Sequence, residues 1–261
     1  MCYLMKLYFV ILNLLIATVS SGQIEKEINA VLVKKDFQKL LQFVSKYERE
    51  TKGIQIEKGN IREITNGFQE ATFTISKGYP IYKGVTITCN PRLNVIIQGS
   101  QIIYFHLKSE EMKNAPKNFD SISDTTYKFI DNKKIYELKK QFEIIYKSSL
   151  NLNDLFIDTI AVGNKCGIYP GWLTNQQEQI LSWVKTSDTL SLYKWLQSPN
   201  VEKQIYAVKG FYYLSLKGIK ISENIRAIIR QICQKKGTIT TCITCSSEQS
   251  NISDVLKHYM F

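Results

Sequence analysis

The spacing with the clearest chemical meaning is Cys242-Ile243-Thr244-Cys245, two thiols three positions apart near the C-terminus. Cys2, Cys89, Cys166 and Cys233 complete the set, and loss of an N-terminal leader would remove Cys2 alone. Five cysteines in an exported chain leave at least one thiol free, intermolecular or metal-bound. Cys89 and Cys233 fall in apolar surroundings that suit inert buried thiols. For Cys242 and Cys245 three chemistries are open. A disulfide, either local or from one of the two to Cys166, would staple the tail in an oxidising compartment. A tetrahedral zinc site would draw on Cys166, Cys242 and Cys245 with Cys233 or His258, although the finger's second close histidine is missing. A redox pair should open a helix early in a βαβ unit, whereas this one follows Gly237–Thr241, which reads as a strand. No cofactor is expected, and zinc is the one metal for which ligands of the right type exist.

Other catalytic constellations are thinner. The chain has two histidines, His106 and His258. His106 faces the side of a strand opposite Phe105 and Leu107, and His258 lies near the frayed end of the chain. Cys166 with either histidine lacks an orienting third group. There is no Gly-x-Ser-x-Gly, no phosphate-binding Gly-x4-Gly-Lys-Ser/Thr and no His-Glu-x-x-His. Glu110, Glu111, Asp120 and Asp124 fall in or beside a polar loop, so a hydrolase site would have to be assembled only in three dimensions. Aromatic residues offer contact surface instead: fifteen tyrosines and three tryptophans, concentrated in the C-terminal half. Trp195, Tyr206, Tyr212 and Tyr213 are the candidates for a binding surface, against core packing as the competing use of the same residues.

Charge narrows the partners. The chain has 261 residues, 34 Lys+Arg against 23 Asp+Glu, and a formal charge of +11. Only Arg49, Arg62, Arg92, Arg226 and Arg230 are arginine, and the lysines are spread in pairs without a longer block. Bidentate readout of phosphate or guanine recruits arginine, so no nucleic-acid partner is expected; adhesion to anionic surfaces fits scattered lysine better.

The elements that must position these residues are legible from periodicity. Lys6 precedes an apolar run from Leu7 to Val19, and Ser20-Ser21-Gly22 supplies small residues before a cut at Gln23, the pattern of a signal peptide over residues 1–22. The run is too short for a ~30 Å bilayer, and no second long apolar stretch follows, so no integral membrane protein is expected after cleavage. Residues 24–50 repeat at three and four, as one amphipathic helix or two broken near Asp36. Alternation in 71–75, 85–89, 93–97 and 103–107, with turns at Asn90-Pro91 and Gly99-Ser100, predicts an antiparallel meander under that helix. Lys108–Asp131 reads as a loop or boundary. Ile135, Leu138, Phe142 and Ile145 share a helical face, and Leu155–Val162 fits strand or helix equally. Thr174 with Gln177, Ser187 or Asp188, Ser198 before Pro199, and Ser222 start four short helices; Gly218 and Gly237 end the last two.

The stretch from Ser198-Pro199-Asn200-Val201 through Tyr206-Ala207-Val208-Lys209-Gly210 to Leu214 resembles one helix of a HEAT-type repeat, in a segment no longer than residues 174–235. It departs from that pattern in the aromatic triplet Phe211-Tyr212-Tyr213 and in lacking a clean second copy. The resemblance implies a protein-interaction scaffold and no catalytic residues. The chain as a whole is similar to uncharacterised secreted proteins of bacteria, which implies no activity. The expectation is therefore an α+β protein in three parts: 1–22 signal peptide, 23–130 helix plus antiparallel sheet, and 131–261 mainly helical with a cysteine-containing tail. It would be secreted or periplasmic and non-catalytic, serving as a binding or scaffold protein with a protein or cell-envelope partner. The alternatives are a thiol-redox or metal-binding protein centred on Cys242 and Cys245, and the hydrolase noted above.

Overall fold

The computed structural model describes residues 23–50, 54–82, 85–108, 126–157, 160–163, 174–243 and 246–259. The protein is mixed α+β and falls into two compact units, 1–59 with 72–130, and 60–71 with 131–261. The tip of the first hairpin thus groups with the helical unit, which no single linear boundary can express. The expected signal peptide lies outside the described residues. No helix among them is long and apolar enough to cross a membrane.

In the first unit α1 (Gln23–Leu32) and α2 (Phe37–Glu50) are the two helices expected around Asp36. Lys35, with φ of 55°, turns the chain between them. The sheet contains β1 (Ile54–Thr65), β2 (Phe68–Tyr82), β3 (Val85–Cys89), β4 (Arg92–Gln98), β5 (Gln101–Lys108) and β6 (Thr126–Ile130), in the order β1-β2-β4-β5-β6, with β3 paired to β2 off this path. Helix lies on sheet through Phe37, whose ring sits 6.4 Å from that of Phe73. Backbone bonds from Phe37 to Ser100 and from Ile102 to Lys35 fix the approach. Ala71, Phe73, Ile75, Leu93, Val95, Ile97, Ile103 and Leu107 are buried, the inward half of the alternation. Gly99, at φ of 61°, makes the two-residue turn between Gln98 and Gln101. The stretch expected to be loop contains β6 at its end; Thr126-Tyr127-Lys128-Phe129-Ile130 alternates too briefly to stand out from polar surroundings, while 109–125 lies outside the described residues.

The second unit holds α3 (Asn132–Tyr146), α4 (Leu152–Leu155), α5 (Asn175–Thr186), α6 (Thr189–Leu196), α7 (Val201–Leu216), α8 (Glu223–Cys233), a hairpin of β7 (Thr238–Ile243) with β8 (Ser246–Asn251), and α9 (Ile252–Leu256). The ambiguous Leu155–Val162 resolves into the end of α4 and an extended piece in which Val162 bridges Thr241 in parallel. Thr174 and Asp188 cap as their types demand, accepting from the N–H groups of Gln177 and Ser191. Two boundaries differ from the sequence reading. Asn200, not Ser198, caps α7 by accepting from Lys203 N–H, so Pro199 stands outside the helix. Helix α8 ends at Cys233 with Gln234 as its cap, and Gly237, at φ of 117°, serves a different purpose. A Cβ there would lie 2.3 Å from the Ile61 carbonyl oxygen and 2.4 Å from Arg62 Cα, so glycine is needed for the tail to reach the β1 tip.

Helix α7 is the axis of this unit. Val201, Glu202 and every residue from Gln204 to Phe211 are buried, so it is surrounded rather than amphipathic. Gly210 lets α6 close in: a Cβ there would meet Leu192 Cδ2 at 2.3 Å.

Candidate functional site

Surrounding a helix forces its polar side chains to find partners inside. Glu202, in the first turn of α7 where the helix dipole favours an acid, bonds Arg62 Nη1. Arg62 comes from β1, and its Nε donates to Glu70 Oε1 of β2 at 2.6 Å. The turn Asn66-Gly67, with Gly67 at φ of 82°, brings the two strands back together. The tail anchors the same tip: Glu63 N–H donates to the Lys236 carbonyl at 2.8 Å, and Lys236 N–H donates to Glu63 Oε2 at 3.1 Å. This places Lys235 against the cluster. Arg62, Glu70, Glu202 and Lys235 are 4%, 3%, 1% and 5% exposed, so four ionisable groups share one dry interior.

Burial shifts Glu70 and Lys235 toward their neutral forms, and at Arg62 the partners override it. For Arg62 burial opposes the charge, but Glu70 and Glu202 outweigh it and hold the guanidinium above its ordinary range. Burial raises the Glu70 carboxyl, with Arg62 pulling the other way. Lys235 has no such direct partner. Burial pushes its ammonium down to about 7, only partly opposed by Glu70. Its Nζ makes no hydrogen bond and stands 5.1 Å from the centre of the Tyr146 ring. Glu202 Oε2 and Gln204 Oε1 are also buried without a partner. Lys235 also lines a cavity of about 240 Å3, with Glu63, Asn66, Tyr146, Gln231 and Lys236 among the other residues of its wall. An amine held down to about 7 stands near the balance of its charged and neutral forms at neutral pH, and the neutral form is a nucleophile.

A second arrangement lies on the first unit's sheet. Register pairs Arg92 with Lys108 and Lys108 with Thr126, then Asn94 with His106 and His106 with Lys128. These residues share the face opposite Leu93, Val95, Phe105 and Leu107, and β4, β5 and β6 contain no Asp or Glu. Arg92 and Lys108 are therefore like charges placed directly across from one another, an arrangement that disfavours the sheet itself, and Lys128 stands on the same face in the adjacent row, across from His106. Lys108 and Lys128 are exposed and His106 half-buried. Burial, then Lys128, then Lys108 lower the His106 pKa. Arg92 Nε donates to Asn94 Oδ1 at 3.2 Å.

The residues singled out from sequence are not assembled into one site. Cys166 and Cys245 lie outside the described residues. Cys233 is a free, half-buried thiol that burial pushes up to about 11, which makes it a poor nucleophile at neutral pH. Cys242 is engaged and does not titrate as a thiol. His258 is exposed in the turn after α9. Among the described residues, no group of three or more His, Cys, Asp or Glu converges as metal ligands do. Tyr206, offered as a surface residue, is instead fully buried. Its hydroxyl bonds the Ala161 carbonyl at 2.8 Å and Thr174 Oγ1 at 2.9 Å, because α7 is enclosed on every side. Trp195 packs between Trp183 and Tyr206, at ring distances of 4.9 and 6.4 Å. Tyr212 and Tyr213 are half-buried and form a perpendicular cluster with Tyr259. Lys209 Nζ reaches that cluster, 5.7 Å from the Tyr259 ring, and donates to Gln177 Oε1 at 3.1 Å.

Sequence reasoning missed Arg62, Glu70, Glu202 and Lys235. The one available signal was their company, charged residues set at core positions of strands and helix beside Ile64, Phe68 and Ile205. No protein-family model, curated protein or solved structure matches this chain.

Proposed function

We propose that this is an exported, non-catalytic binding protein of the cell envelope, which engages the anionic surface of the envelope membrane through the cationic face of its sheet. The observation that supports the reading is one like-charge cross-strand pair, Arg92 with Lys108, with the exposed Lys128 on the same face. Like charges held opposite one another cost the free protein stability. A phosphate-bearing surface brings negative charge against the exposed Lys108 and Lys128 and adds attraction to this face. The residues 1–22, with their leader pattern, support export, and an engaged Cys242 fits a disulfide to Cys166 or Cys245 formed in an oxidising compartment.

Each lysine close to an anionic membrane contributes about 1 kcal/mol. Sedimentation of the protein with phosphatidylcholine vesicles, with and without phosphatidylglycerol, tests the reading. Binding is expected only to the anionic vesicles, weakening as salt shortens the screening length. The double variant Lys108→Gln/Lys128→Gln should bind about thirty-fold more weakly, the equivalent of about 2 kcal/mol. Equal binding to both vesicle types, or unchanged binding by the double variant, overturns it. Replacement of exposed lysines at β5 and β6 leaves the buried side of the sheet intact, so folding is retained.

A further inference from the structure

We propose that the cavity beside Lys235 is a covalent capture site for a small, uncharged hydroxyaldehyde, held as an imine on the Lys235 amine. The inference is independent of the sheet face and lies wholly within the second unit. It rests on a cavity, an orphaned amine and the character of the lining. Lys235 Nζ is buried without a hydrogen-bond partner, although lysine heads are rarely buried unless paired. Lys235 itself is part of the wall of a cavity of about 240 Å3, room for a compound of a few carbon atoms. Thr65, Asn66, Gln231 and Gln234 line the same wall beside one acid and one base, Glu63 and Lys236, and hydroxyl and amide side chains donate to and accept from hydroxyls and carbonyls without demanding a charge.

The charge around the amine also selects the ligand. Arg62 is already committed to Glu70 and Glu202, and the other charged residues of the wall, Glu63 and Lys236, are of opposite sign, so the wall offers no excess of positive charge to an anionic ligand. With Lys235 neutral the cluster carries one excess negative charge, which repels acids. In the reaction the amine lone pair attacks the aldehyde carbon and the carbonyl electron pair moves to oxygen, giving a carbinolamine. In forming that carbinolamine one proton passes from nitrogen to the alkoxide oxygen, and loss of water, the hydroxyl from carbon and the one remaining proton from nitrogen, leaves the imine. Amine and aldehyde become imine and water with no change of oxidation state. Protonation of the imine nitrogen would then place a second positive charge opposite Glu70 and Glu202, balancing the cluster. An amine held down to about 7 by burial is unprotonated often enough to react near neutral pH.

The test incubates the full chain with glycolaldehyde and cyanoborohydride, which reduces the imine to a stable secondary amine, and maps modified lysines by peptide mass. Lys235 is expected to be modified first, at least ten-fold ahead of the neighbouring Lys236. Its rate should level off just above pH 7, whereas that of surface lysines should go on rising toward about 10.4. Lys235→Met should remove that fast site and leave the slow ones. The regioselectivity of the unaltered protein decides the matter even if that variant fails to fold. Labelling of Lys235 no faster than Lys236, or only after denaturation, overturns the proposal.

Discussion

Arg62 shows what one residue can be asked to do. Its guanidinium reaches Glu70 on the neighbouring strand and Glu202 on α7, so a single side chain ties two backbone segments that are far apart in sequence. A buried ion pair gains little over a hydrophobic one, but removing one partner strands the other charges in a low-dielectric interior. Arg62→Ala should therefore lower stability by about 3–5 kcal/mol, read from urea midpoints. A loss below 1 kcal/mol would mean that the carboxylates are relieved by protonation or water. None of this was legible in Ile61-Arg62-Glu63-Ile64, where two adjacent charged residues between isoleucines look the same whether Arg62 faces water or an enclosed helix. The cysteines were legible in part, since the apolar surroundings of Cys233 suit an inert thiol while the spacing at Cys242 left several uses open. Cys233 is a free thiol that burial pushes up and Cys242 is engaged; which use each takes depends on an environment that spacing does not encode.

At the scale of elements, boundaries were legible where local chemistry decides them. Thr174, Asp188 and Gly99 each do what their side chain or lack of one requires in any context. The errors fall where tertiary packing overrides local signals. Ser198-Pro199 has the form of a helix start, but Asn200 displaces it since its side chain caps Lys203 N–H and also donates to the Ile157 carbonyl at 3.0 Å. Asn200→Ala should cost about 2–4 kcal/mol, about 1 for the cap and the remainder for a carbonyl left buried and unpaired; a loss of only the cap's share would show that water reaches Ile157. Gly237 is the second case. As a helix terminator it would tolerate asparagine, but as the close approach to Arg62 it tolerates no Cβ. Gly237→Ala combines that clash with a positive φ and should cost about 1–3 kcal/mol by chemical denaturation. An unperturbed variant would place the tail further from β1 than described.

For the whole molecule, the net charge of +11 was legible from composition, but its effect on stability depends on which cations are buried. Lys235 is pushed down to about 7 and Lys209 to about 8, both by burial, whereas an unfolded lysine holds its proton to about 10.4. Between pH 7 and about 8.5 the unfolded chain therefore binds more protons than the folded one at both positions, and stability must rise with pH. The buried thiol and the tyrosines work in the opposite direction, since raised values favour the protonated fold. Their unfolded counterparts begin to titrate only near 8.5 and 10, so this window isolates the lysines. His106, lowered chiefly by burial, shifts stability in the same direction as the lysines but below about 6.5, where its unfolded counterpart takes up a proton. Urea denaturation at pH 7 and at pH 8.5 should give a protein about 2 kcal/mol more stable at the higher value. Lys235→Met should lose more than half of that gain while Lys236→Met retains it. A flat profile in the unaltered protein would mean that Lys235 keeps its proton on folding, and with it both the excess negative charge of the cluster and the nucleophilic amine beside the cavity would disappear.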